Sequence, residues 1–209
     1  MANAKRLNGL KPVRHQNGSP WNGALEVFYH STANASAIYK GTIVYSDVGL
    51  ATPGTDPLGV YQSVIVCPDG TAGIVGVAWT FGTTPQIAAQ VNNLNAVNYC
   101  PASTGMYIGV ITDPTVVFEV SDNGGTAITS AQIGMYADCT GSTLGSATTG
   151  KSSLALDQGT LTATGMLQLR ILRLVNRPDN ELSTYARWEV ILGETLANTQ
   201  AAGSGYHTT

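Results

Sequence analysis

The stretch "LQLRILRLVNRPDNE", Leu167 to Glu181, sets Arg170, Arg173 and Arg177 among leucines and isoleucine and then stops at Pro178. Wound as a helix, it would gather the three arginines on one broad face, but Leu169 and Leu172 would intrude among them. Drawn out as a strand, it alternates Leu167, Leu169 and Ile171 with Gln168 and Arg170, slips once at Ile171-Leu172, and resumes at Arg173. A single β-bulge absorbs that slip. Pro178 ends the pairing, Asp179-Asn180 turns, and "YARWEVIL" (185–192) returns as the neighbouring strand, where Glu189 meets an arginine across the ladder. The arginines therefore read as sheet-edge or intersubunit charges, with a carboxylate in the sheet or on an adjoining subunit as their partner.

Working outward, the rest of the chain keeps the same period. "WNGALEVFYH" (21–30) alternates, and "TIVYS" (42–46), "YQSVIV" (61–66) and "GIVGVAWTF" (73–81) follow, separated by Gly, Pro and Asp clusters such as "CPDGTAG". "MYIGVIT" and "TVVFEVS" are expected to pair around Asp113-Pro114, and "SDNGGT" to make the next hairpin turn. Further strands are expected near 132–138, 153–156, 161–175 and 185–192. One or two helical turns are expected between Pro85 and Val97, where Ile87, Val91 and Leu94 recur at helical spacing among asparagines.

The composition agrees: 24 glycines and only 11% charged residues in 209 favour short strands and many turns. The expected fold is all-β, a small β-barrel or β-sandwich with a jelly-roll-like alternative. Residues 1–20 are expected to form an extended basic arm, 21–193 the β-rich domain with long loops, and 194–209 a flexible tail. Cys67, Cys100 and Cys139 have no CxxC spacing and no histidine nearby in sequence, so they read as buried reduced thiols. No apolar run is long enough for a membrane span, and synthesis in a cytoplasm is the expectation.

A net charge of -3 conceals a strong asymmetry. Residues 1–40 carry Lys5, Arg6, Lys11, Arg14 and Lys40 against Glu26 alone, whereas residues 41–150 hold seven acids and no Lys or Arg. Lys5, Arg6, Lys11 and Arg14 are the candidate contacts to an acidic surface. The body lacks the basic stripe that specific nucleic-acid binding needs.

Catalytic patterns do not assemble. "GSATTGKS", Gly145 to Ser152, matches the phosphate-loop pattern, but no apolar strand precedes it and "SLALDQG" reaches Gly159 before two helical turns are complete, so it reads as a surface loop. His15, His30 and His207 are scattered, and there is no GxSxG elbow. Glu26 and Glu119 are the candidate carboxylate pair, but outward strand positions account for both. No cofactor, metal or catalytic residue is expected.

Three segments, "WNGALEVFYHSTANASAIYKGTIVYSD", "STGMYIGVITDPTVVFEV" and "LQLRILRLVNRPDNELSTYARWEVIL", together resemble head-associated proteins of tailed bacteriophages, of the capsid cement or decoration type. The resemblance spans most of residues 21–193 in order and carries no chemical-role residue with it. It implies a non-enzymatic virion structural protein on the outside of the capsid, bound to the major capsid protein and assembled as a homo-oligomer, commonly a trimer near local three-fold positions. A receptor- or glycan-binding head protein is the alternative on the same β architecture, with nucleotide binding through 145–152 a lesser one.

Overall fold

A computed structural model of the chain describes residues 3–5, 8–47, 54–86 and 97–195. The strands in chain order are β1 (Lys11–His15), β2 (Glu26–His30), β3 (Ile38–Tyr39), β4 (Ile43–Ser46), β5 (Val64–Val66), β6 (Ile74–Gly82) and β7 (Tyr99–Cys100). They continue with β8 (Met106–Ile111), β9 (Val116–Ser121), β10 (Tyr136–Ala137), β11 (Cys139–Thr140), β12 (Ala155–Leu156), β13 (Leu169–Leu174) and β14 (Arg187–Leu192). The only helical elements among the described residues are two 3-10 turns, Ser130–Gln132 and Gln158–Thr160. The all-β expectation holds.

Two five-stranded antiparallel sheets dominate. The first, sheet A, runs β1-β9-β14-β13-β10, and the second, sheet B, runs β2-β8-β6-β4-β5; β3-β7 and β11-β12 form two small ladders. One apolar core joins the sheets: Phe118, Ile171, Trp188 and Val190 from sheet A lie in the same cluster as Ile43, Ile74, Val77 and Ile111 from sheet B. Period-2 alternation places these side chains on the facing surfaces. Full burial of each contributes about 1.5–3 kcal/mol relative to exposure.

The opening stretch folds as a strand. β13 pairs antiparallel with β14, and its register skips Leu172, between Ile171 opposite Val190 and Arg173 opposite Glu189. That skip keeps Leu169 and Ile171 in the core while returning Arg173 to the outer surface.

Two sequence expectations change. β8 and β9 do not form a hairpin: β8 pairs with β2 and β6, β9 with β1 and β14, and the Asp113-Pro114 connection carries the chain from one sheet to the other. Each strand lies inside its own sheet with a hydrogen-bonded neighbour on both edges, and all six residues of each are buried. The Asp113 carboxylate accepts from the Thr115 amide (2.7 Å) and fixes the corner. "SDNGGT" likewise turns, with the Gly124 amide donating to Asp122 Oδ1 at 2.9 Å and Gly124 at φ +81, but β9 has no hairpin partner beyond it.

The N-terminal segment expected as an arm is integrated from residue 8 onward. β1 is the edge strand of sheet A, with Lys11 opposite Glu119 and Arg14 opposite Val117. Leu10 is fully buried, and its amide donates to the Gly41 carbonyl at 2.9 Å. Gly41 makes this approach possible, because its φ of +87 and its closeness to the Leu10 backbone leave no room for a side chain. Most of the segment expected as helical turns, residues 87–96, and the expected tail from 196 on lie outside the described residues. No helix among the described residues is long and apolar enough to cross a membrane.

Candidate functional site

The outer face of sheet A concentrates charge at selected outward positions of four adjacent strands, interspersed with Val117, Ser121 and Ile191. β9 reads Phe118-Glu119-Val120 and β14 reads Trp188-Glu189-Val190, each with its aromatic residue in the core and its glutamate outward. The register sets Glu189 directly opposite Glu119, an arrangement that is repulsive unless cations intervene. Four arginines do so. Glu189 accepts from Arg14 Nη2 at 2.6 Å and from Arg173 Nε and Nη2 at 3.0 and 2.9 Å. Glu119 accepts from Arg187 Nη1 at 2.6 Å and from Arg177 Nη2 at 3.0 Å.

Both glutamate side chains are 9% exposed, while Arg173 is 60% and Arg177 36% exposed. The carboxylates therefore sit beneath the guanidiniums, and cationic surface faces solvent. Burial pushes the Glu189 carboxyl up, but the hydrogen bonds and charges of Arg173 and Arg14 outweigh it and hold the group below its ordinary value. Bidentate guanidinium–carboxylate geometry at Arg173 fixes direction as well as charge.

Lys11 and Arg170 extend the same face by their register positions. Arg170 is exposed, with its guanidinium 5.7 Å from the Tyr136 ring centroid and Nε 3.5 Å from the Gly134 carbonyl. Six of the 10 basic residues in the chain thus gather on one sheet face against two buried carboxylates. Asp179, 3.5 Å from Arg177, adds one acid at the margin.

The residues singled out in the sequence separate accordingly. Arg170, Arg173 and Arg177 come together with Lys11 and Arg14. Lys5 stands apart, with Nζ 6.0 Å from the Tyr185 ring centroid, and Arg6 lies outside the described residues. Arg187 was not anticipated, and the signal for it was available: the paired "FEV" and "WEV" triplets place two glutamates on the same side, and Arg187 lies two residues before one of them. Glu119, expected to be solvent-facing, is buried beneath its arginines. Glu26 is exposed on sheet B, so the two candidate carboxylates stand on different sheets.

Other constellations are structural. His30 Nδ1 lies 3.3 Å from Cys100 Sγ, a pairing that resembles a thiol–imidazole dyad. Both residues are fully buried, burial pushes the thiol up to about 12, and burial lowers the imidazole. Such a thiol is a poor nucleophile. Cys67 is likewise pushed up to about 12 by burial, and Cys139 is raised well above its ordinary value by burial; all three cysteines are free.

The Gly145–Ser152 loop closes on itself, with the Gly150 amide donating to the Ser146 carbonyl at 2.7 Å and the Ser146 amide to the Lys151 carbonyl at 3.0 Å. β12 follows it where a phosphate-binding loop requires a helix. No cluster of His, Cys, Asp and Glu suited to a metal ion occurs among the described residues. Comparison of the chain with protein-family models, curated proteins and solved structures found no match.

Proposed function

We propose that this chain is a docking protein that binds an acidic protein surface through the outer face of sheet A. In the particular form implied by the sequence resemblance, it is a decoration protein on the outside of a bacteriophage shell. The observation that carries this reading is the concentration of Lys11, Arg14, Arg170, Arg173, Arg177 and Arg187 on one face, over two buried carboxylates. Glu119 and Glu189 preorganise the guanidiniums, so less side-chain freedom is lost on contact. The exposed cations steer the encounter and select acidic partners.

As a decoration protein it works by mass action. Binding the expanded lattice better than the unexpanded or dissociated one stabilises the expanded state in proportion to that difference. A trimer bridging several copies of the major capsid protein would multiply modest contacts into tight attachment. The test is binding of the purified chain to empty expanded shells. Saturation at a fixed copy number, a raised shell melting temperature and weakening with salt support the reading. Failure to bind shells under low salt overturns the capsid assignment.

A further inference from the structure

The loop that matches the phosphate-loop pattern places Lys151 beside Lys40 for another reason. A backbone bridge joins the two residues: the Lys40 amide donates to the Gly150 carbonyl at 2.9 Å and the Ser152 amide donates to the Lys40 carbonyl at 3.0 Å. Bridge partners project their side chains from the same side of the ladder. Neither lysine has a carboxylate partner among the described residues. The Lys40 ammonium lies 4.2 Å from the Trp79 ring centroid, and Trp79 meets Trp21 edge to face at 5.6 Å. Tyr39 stacks on Tyr99 at 5.1 Å in the adjoining ladder. Lys151 is exposed, while Lys40 and both tryptophans are half-buried.

Burial and the charge of its bridge partner Lys151 both lower the Lys40 amine, and no carboxylate among the described residues offsets them. An incoming anion relieves both costs. Both indoles pack on one side against the inter-sheet core, and their remaining exposed surface, next to Lys40 through Trp79, is apolar and polarizable, of the kind that takes the C–H face of a sugar ring. We propose that Lys40 and Lys151, together with the Trp21–Trp79 pair, form a binding site for an acidic carbohydrate, with its carboxylate between the two ammoniums and its ring against indole.

The site shares no residue with the cationic face of sheet A, so it stands or falls independently of that docking reading. The aromatic pair favours a sugar acid over an acidic peptide or free phosphate, for which the lysines alone would suffice. With one of the two ammoniums solvent-exposed, single-site binding is weak.

The probe is a galacturonic acid trisaccharide, titrated against the full chain while tryptophan fluorescence is followed. Saturable binding is expected, weakened roughly tenfold by Lys40→Gln and by Lys151→Gln and lost for the carboxyl-reduced trisaccharide. Lys151 is exposed and its substitution is expected to change stability little, so the Lys151→Gln arm is readable whatever Lys40→Gln does. The proposal is overturned if the uronate does not saturate, if both variants bind like the parent, or if the reduced sugar binds equally. It is also overturned if a triglutamate peptide or inorganic phosphate binds as tightly as the uronate.

Discussion

Sheets A and B use the same kind of strand and treat their outer faces in opposite ways. On sheet B, Phe28, Val44, Val64, Ala78, Phe81, Met106, Ile108 and Val110 form a second apolar cluster together with Ile38 and Cys100 of the β3–β7 ladder. On sheet A the corresponding face carries Glu119 and Glu189 under arginines. A sheet covered on both faces is committed to stability. A sheet whose second face carries ion-paired charge leaves that face open to solvent, and it is this face that the docking proposal assigns to a partner.

The sharpest way to break this comparison is to truncate one residue on each outer face. Ile108→Ala should cost about 2–5 kcal/mol in denaturant unfolding, the usual penalty for a cavity in a closed core. Arg170→Ala should cost under about 0.5 kcal/mol, as for an exposed side chain without a buried partner. If the two cost the same, the faces do not differ as described.

An intermediate effect is expected where charge is buried. Glu189→Gln leaves Arg14 and Arg173 without their carboxylate and should cost about 1–3 kcal/mol. A double-mutant cycle with Arg173→Ala should then show coupling between the two positions rather than additivity.

The pH dependence distinguishes the sheets again. His30, on sheet B, is lowered by burial from its ordinary 6.5, so the fold favours the neutral ring. Its contribution to stability is complete above about 6.5 and is lost as the pH falls below that value toward the folded one. Glu189, on sheet A, is held below its ordinary 4.5 despite burial by Arg173 and Arg14, so its contribution persists above that value and is lost as the pH falls through the folded one. Acid unfolding should therefore weaken in two stages. His30→Gln should abolish the earlier stage and Glu189→Gln the later one; a single stage unaffected by either substitution would contradict this assignment. The smallest effect concerns the thiols: Cys67, Cys100 and Cys139, all buried, should react with a thiol reagent only at the rate of unfolding.

How much of this was legible in the sequence depends on what each signal encodes. The strand character of 167–174, the slip at Ile171-Leu172 and a contact between Glu189 and one of the arginines could be read because alternation, Pro178 and a short return segment are local; that the arginine facing Glu189 is Arg173 came from the register. The partners of β8 and β9 could not, because a strand buried on both faces shows the same apolar run whichever neighbour it has. "KPVRH" was obscured by the charge run around it, although Pro12 is buried opposite Phe118 while Lys11 and Arg14 remain outward. The gathering of arginines on one face needed the register between distant strands. The Lys40–Lys151 neighbourhood depends on a bridge across more than a hundred residues, which nothing in the sequence marks.

The central claim, that the outer face of sheet A docks on an acidic shell, is tested most directly by altering charge where the sheet does not need it. Lys11→Gln and Arg170→Glu together alter two exposed positions that hold no carboxylate clamp, without setting a second carboxylate opposite Glu119. Cosedimentation of this variant with empty expanded shells, at matched low salt and with unfolding checked, should show binding weakened at least roughly tenfold, while Lys40→Gln with Lys151→Gln binds like the parent. Undiminished binding of the charge-altered, folded variant would contradict the account.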